Sequence, residues 1–193
     1  MNGQAIKNMG CWGAQDGLLS AGEIESLYIA VSFGNVCSAL EIGHYCGLST
    51  FVISAALDTR DNEWSLTSID AHCVDAWVKD SDYTKYLENK KAHFYYYQIH
   101  SLVMRSEAIT NIDGFDFVFY DGDHADEQMR FTKLVHDSPD VRLFIFDDRD
   151  FDVPAKCCEY LIANGWKDES PPLYRGEDDK RDPKTMTLGI FRR

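Results

Sequence analysis

The sequence predicts an α/β fold: a doubly wound, mostly parallel seven-stranded sheet with a C-terminal antiparallel hairpin. Short apolar runs alternate with longer segments of helical period, which favours parallel strands covered by helices on both faces. Glycines, prolines and capping residues fall between the runs, where strands turn into helices. After Gly165 the alternation stops, and two extended segments follow with only a polar loop between them. The 193 residues suit one domain with a full core. We read 1–193 as that unit, with a helical segment over 1–35 and the sheet core over 36–193.

Ser20 to Glu23 has the Ser-x-x-Glu form of a capping box and opens a helix over Ala21 to Phe33, which Gly34 ends. Cys37 to Ile42 is a strand, and Leu48 to Leu57 is the next helix. Trp64 to Ile69 is the second strand. Val74 to Lys91 is helical in period, with Trp77, Tyr83, Tyr86 and Leu87 apolar. His93 to Ile99 is aromatic and extended, a third strand, and Leu102 to Ile109 is a short helix. Phe115 to Tyr120 is nearly all apolar, as a strand buried on both faces would be. Asp126 to Val135 is a helix and Arg142 to Phe146 the fifth strand. The helix over Val153 to Ala163 takes Asp152 as its N-cap and Pro154 in its first turn, and Asn164-Gly165 ends it. Trp166 to Tyr174 and Thr185 to Phe191 then pair as the hairpin.

Composition narrows the function. A formal net charge of −13 repels phosphate backbones and anionic membrane surfaces, and no basic stripe offsets it. Lys90-Lys91 and Arg192-Arg193 are only pairs, so a nucleic-acid substrate is disfavoured. The apolar stretches are interrupted by Glu41, Asp70, Asp116 or Asp121 and fall short of the roughly 20 residues of a membrane helix. Met1 to Gly10 lacks the basic-then-apolar pattern of a secretion signal, so a cytoplasmic location is expected. The six cysteines form no Cys-x-x-Cys pair, which argues for free thiols rather than a zinc site.

In a parallel sheet of this kind, ligands sit outside the carboxyl ends of the strands. The first strand runs into Gly43 and Gly47, which permit either close approach to a ligand or a simple tight turn. The third glycine of a dinucleotide fingerprint is missing. Asp70, ending the second strand, suits a ribose diol or a helix cap. The fourth strand ends in Asp121-Gly122-Asp123-His124 and the fifth in Asp147-Asp148-Arg149-Asp150. Carboxylates so close repel one another, and a divalent cation held by Asp121, Asp147 and Asp148 would relieve that. Solvated helix caps are the plainer alternative. His124 fits a base, a ligand or a polar helix opener equally well.

Glu41-Ile42-Gly43 through Gly47, followed by Ser49-Thr50, resembles the first motif of class I S-adenosylmethionine-dependent methyltransferases. Ser68-Ile69-Asp70 resembles the second. Phe117 to His124 resembles the F-I-D-G-D-H signature of a branch that contains small-molecule O-methyltransferases, among them the macrocin type. In that branch an Asp-Asp pair follows, and here Asp147-Asp148 begins 26 residues after Asp121. The terminal hairpin suits the seventh, antiparallel strand of that Rossmann-like fold, and the resemblance spans residues 36–191.

The resemblance implies S-adenosylmethionine as cofactor, in a pocket shaped by Glu41, Gly43 and Gly47 with Ser49 and Asp121 beside it, and Asp70 on the ribose hydroxyls. It implies magnesium on Asp121, Asp147 and Asp148, with Asp123 as general base and His124 as the second candidate. The reaction it implies is methyl transfer to a hydroxyl of a small-molecule substrate, which the metal orients and acidifies. A methyltransferase without a metal is one alternative. A non-catalytic S-adenosylmethionine-binding regulatory or structural protein is another. His44, Tyr45 and Cys46 stand where the family has small residues, and Gln98 to Ser101 where an acidic residue often faces adenine. Tyr95 to Tyr97 fit a core better than the interface of a homo-oligomer.

Overall fold

A computed structural model describes residue 3 and residues 19–59, 62–71, 80–93, 98–122, 125–176 and 182–193. Helix α1 covers Ala21–Ser32, strand β1 Ser38–Ile42, α2 Leu48–Leu57, β2 Ser65–Asp70 and α3 Asp80–His93. Strand β3 covers Ile99–Val103, β4 Phe117–Tyr120, α4 Asp126–Asp137, β5 Leu143–Phe146 and α5 Asp152–Ala163. Strands β6, Lys167–Asp168, and β7, Gly189–Arg192, complete one seven-stranded sheet in the order β3-β2-β1-β4-β5-β7-β6. Strands β1 to β5 are parallel, while β7 runs antiparallel to both β5 and β6. This is the α/β architecture expected from the alternation.

Period-two burial in the central strands divides the core in two. Phe117 and Phe119 of β4, with Leu143 and Ile145 of β5, face the cluster formed with Ile24, Leu27, Val52 and Ile53 of α1 and α2. Val118, Tyr120, Phe144 and Phe146 face the other way, against Phe131 and Val135 of α4 and Leu161 of α5. Each such side chain contributes about 1.5–3 kcal/mol on burial, which is why both strands read as continuous apolar runs.

The capping box forms as expected. Ser20 Oγ accepts the Glu23 N–H at 3.1 Å, and Glu23 Oε2 accepts the Ser20 N–H at 2.8 Å. Three expectations are corrected. The third strand begins only at Ile99, and α3 continues to His93. Tyr95 to Tyr97 lie outside the described residues. The expected helix at Leu102 is the end of β3 followed by a single 3-10 turn, Ser106–Ala108, which Arg130 of α4 ties down through the Ser106 and Ile109 carbonyls. Phe151, not Asp152, is the N-cap of α5, and it makes no side-chain cap. Gly165 does end that helix, at φ +86°. Among the described residues, no helix is long and apolar enough to cross a membrane.

Candidate active site

The parallel register brings four strand ends to one edge. Ile42 pairs with both Ile69 and Tyr120, and Tyr120 pairs with Phe146. Gly43, Asp70, Asp121 and Asp147 therefore leave the sheet side by side. The ladder runs into these residues: Gly43 N–H donates to Ile69 at 2.8 Å, Asp121 N–H to Ile42 at 2.8 Å and Asp147 N–H to Tyr120 at 3.1 Å. The strand order reverses between β1 and β4, so Gly43 and Asp121 flank the switch point where open α/β sheets bind ligands.

The loop after β1 is a built turn. Gly43, Tyr45 and Gly47 have φ of +83°, +44° and +93°, so the chain reverses through left-handed conformations. A Cβ on Gly43 would run into the carbonyl of Asp121, so the close approach that this glycine permits is to its own β4. Gly47 is the N-cap of α2 and donates its N–H to the His44 carbonyl at 2.6 Å. Asp70 Oδ2 accepts the Tyr45 N–H at 2.8 Å and clasps the loop to β2. The bulky residues turn inward. His44 and Cys46 are buried, the His44 ring lies 3.9 Å from that of Tyr86 on α3, and Asn89 donates to the Cys46 carbonyl at 2.9 Å.

Glu41 lies beneath this loop with no exposed surface. Its Oε1 accepts Ser49 Oγ at 2.5 Å, and its Oε2 accepts Thr50 Oγ1 and Ser68 Oγ, both at 2.7 Å. Burial pushes this carboxyl up to about 7, against the lowering effect of the three hydroxyls and with a smaller push from Asp70. Glu41 thus buckles β1, β2 and α2 together and offers no surface to a ligand. Ser49, whose hydroxyl points to Glu41, belongs to the same buckle.

The β5 end is built differently. Asp147 is 1% exposed; its Oδ1 accepts the Asp148 N–H at 2.8 Å and lies 3.0 Å from Thr187 Oγ1. Thr187 donates from Oγ1 and N to Glu23 Oε1, at 2.6 and 2.8 Å, so the α1 capping box reaches this strand end. Asp148, at φ +55°, accepts Arg175 Nη2 at 3.1 Å. Arg175 also forks onto Asp150 through Nε at 2.8 Å and Nη2 at 2.7 Å, which holds the Asp150 carboxyl below its usual range. Its guanidinium lies 5.3 Å from the centroid of the Phe151 ring.

Among the described residues, no group of three His, Cys, Asp or Glu side chains is placed to hold a metal ion. Of the expected set of Asp121, Asp147 and Asp148, the second is buried and hydrogen-bonded through Oδ1, and the third is ion-paired to Arg175. Asp123 and His124, the candidate bases, lie outside the described residues.

The sequence model of a family described as a methyltransferase domain matches residues 40–138. The chain belongs to that family. It is a class I S-adenosylmethionine-dependent methyltransferase, and the matched span of this methyltransferase runs from β1 to the end of α4. Solved structures share its fold. One is the O-methyltransferase TomG from Streptomyces achromogenes in complex with S-adenosylmethionine, at a TM-score of 0.69 and 17% identity over 97% of this chain and 88% of that one. Another is an O-methyltransferase from Bacillus cereus in complex with S-adenosylhomocysteine, at 0.68 and 14% over 99% and 89%. A putative caffeoyl-CoA O-methyltransferase from Staphylococcus aureus gives 0.61 and 15% over 88% and 82%. No curated protein matches the chain.

Some residues of the methyltransferase's edge were missed in the sequence. Thr50 and Ser68 stand within the quoted motifs, and their role shows only once Glu41 is seen to be buried beside them. Arg175 and Thr187 come from the connection between β6 and β7 and carry no local signal that ties them to β5.

Proposed function

We propose that this methyltransferase takes a methyl group from S-adenosylmethionine and delivers it to a hydroxyl of a small molecule. The observation that carries the reading is the clasped loop at the switch point, where Asp70 Oδ2 holds the Tyr45 N–H and α2 opens on Gly47 without a side-chain cap. The loop from Gly43 to Gly47 would receive the methionine end of the cofactor, with Asp121 beside it on β4. Asp70 would meet the ribose hydroxyls. The complexes of TomG with S-adenosylmethionine and of the Bacillus cereus enzyme with S-adenosylhomocysteine support the choice of cofactor, and their description as O-methyltransferases supports a hydroxyl acceptor.

The acceptor oxygen attacks the methyl carbon in line with the sulfonium. The C–O bond forms as the S–C bond breaks, S-adenosylhomocysteine leaves as a neutral thioether, and the hydroxyl proton passes to a base. Asp123 is that base in this reading, with His124 the second candidate. Holding methyl and oxygen together supplies much of the acceleration. The magnesium-assisted version would need Asp121, Asp147 and Asp148 to turn toward one ion; the residues as placed do not fit it, so no step here passes through a metal. A net charge of −13 favours small acceptors over anionic polymers.

Titration calorimetry with S-adenosylmethionine, followed by assay of S-adenosylhomocysteine release over a panel of hydroxylated compounds, tests the proposal. Binding with turnover of at least one acceptor is expected. Asp123→Asn should keep the binding and lose about 100-fold or more of the turnover. An absence of binding heat at millimolar cofactor refutes the reading. Binding without turnover of any acceptor favours the non-catalytic alternative.

A further inference from the structure

We propose that Arg175 is the built-in cation of the acceptor side, and that it keeps divalent metal ions off Asp148 and Asp150. The name "acceptor side" rests on the methyl-transfer reading; the exclusion of metal does not. The sequence places Asp147, Asp148 and Asp150 at one strand end, an arrangement that invites a hard cation. In the folded chain the cation comes from the protein itself. Arg175 reaches across from the β6–β7 connection and takes both oxygens of Asp150 and Oδ1 of Asp148.

A guanidinium satisfies two carboxylates in this geometry because its donors form a fixed planar fork. Its place is fixed on another side as well, by the face of Phe151, the N-cap residue of α5. A divalent ion approaching Asp148 would compete for an oxygen that Arg175 already holds, and would lie beside a fixed positive charge. Asp147 offers no way round. It is 1% exposed, and its Oδ1 accepts the Asp148 N–H beside the Thr187 hydroxyl. Arg175 is therefore a positioning residue, tying the β6–β7 connection to the segment that follows β5.

The inference predicts a gain of function on removing the arginine. Wild type and Arg175→Gln are titrated with Mn2+, with the free ion followed by electron paramagnetic resonance, while thermal melts confirm that both are folded. Wild type should show no site tighter than about 1 mM, and Arg175→Gln should bind Mn2+ about tenfold or more tighter, at a site that adding Asp148→Asn removes. Two results overturn the proposal: one Mn2+ per wild-type chain below about 0.1 mM that Asp148→Asn abolishes, or no gain in folded Arg175→Gln. Should that variant fail to fold, the wild-type titration still decides. S-adenosylmethionine calorimetry on the same samples separates the two proposals. No cofactor binding in wild type, with Mn2+ taken up only by Arg175→Gln, sinks the methyl-transfer reading and leaves the role of Arg175 standing.

Discussion

At the β1–β2 end of the carboxyl edge the carboxylate Glu41 is fully buried and answered by three neutral hydroxyls. At the β5 end Asp148 and Asp150 are part-exposed and answered by an arginine from a distant loop. The first arrangement is local and rigid: every partner of Glu41 lies on β2 or α2. The second joins segments 25 and 27 residues apart through ions that water and salt can screen. The comparison teaches a division of labour. The half that the proposal gives to the cofactor is held by burial and backbone geometry, which suits a group that every turnover must bind the same way. The half that the proposal gives to the acceptor is held by screened charge, which costs little to rearrange.

The largest effect should follow from breaking the backbone contact that joins the two halves. Gly43→Ala forces a Cβ into the Asp121 carbonyl at a φ of +83°. Left-handed strain and the enforced separation of β1 and β4 together should cost roughly 3–5 kcal/mol. A lower urea midpoint with an unchanged slope, together with lost cofactor binding, is the expected result. A change near zero would mean that the switch point is looser than its ladder implies.

The next effect concerns the buried carboxyl. Folding raises Glu41 from 4.5 to about 7, so the folded state prefers it protonated. Its contribution is then most favourable below pH 4.5, declines as pH rises toward 7, and is constant above that. Glu41→Gln removes this dependence. Relative to wild type, the variant should gain about 2–3 kcal/mol between pH 5 and pH 8. Urea midpoints of both proteins at the two pH values check this. A difference that does not move with pH would show that the three hydroxyls fully offset the desolvation.

The sequence made local patterns more legible than distant pairings. Phe117 to Tyr120 and Leu143 to Phe146 are strands because every residue is apolar and both faces are buried, and that pattern is local. Gly43 and Gly47 mark the loop because only glycine turns that way cheaply. Strand β3 was less legible. It lies at the sheet edge, its residues alternate poorly between buried and exposed, and the aromatic run before it is the stronger strand signal. The acid pair stands out in the sequence, but the arginine that answers it does not. Its cation lies 27 residues downstream of Asp148 in a polar loop, and a pairing at that distance leaves no periodicity to detect.

The smallest effect is the one that most sharpens the contrast. Asp150→Asn removes one arm of the Arg175 fork. Arg175 depresses the Asp150 carboxyl, so the pair's contribution is present above the ordinary value of 3.8 and is lost as pH falls through the lower folded one. Between pH 6 and pH 8 the contribution should not change, in contrast to Glu41. Both partners are part-exposed, so the loss should be about 0–1 kcal/mol and should shrink in about 1 M salt, where the screening length is about 3 Å. Melts of wild type and Asp150→Asn at low and high salt measure it, with Glu41→Gln as the salt-insensitive reference. A loss above about 2 kcal/mol that survived high salt would mean that the Arg175 fork is desolvated like the Glu41 buckle, and the two halves of the edge would then be held by the same kind of force.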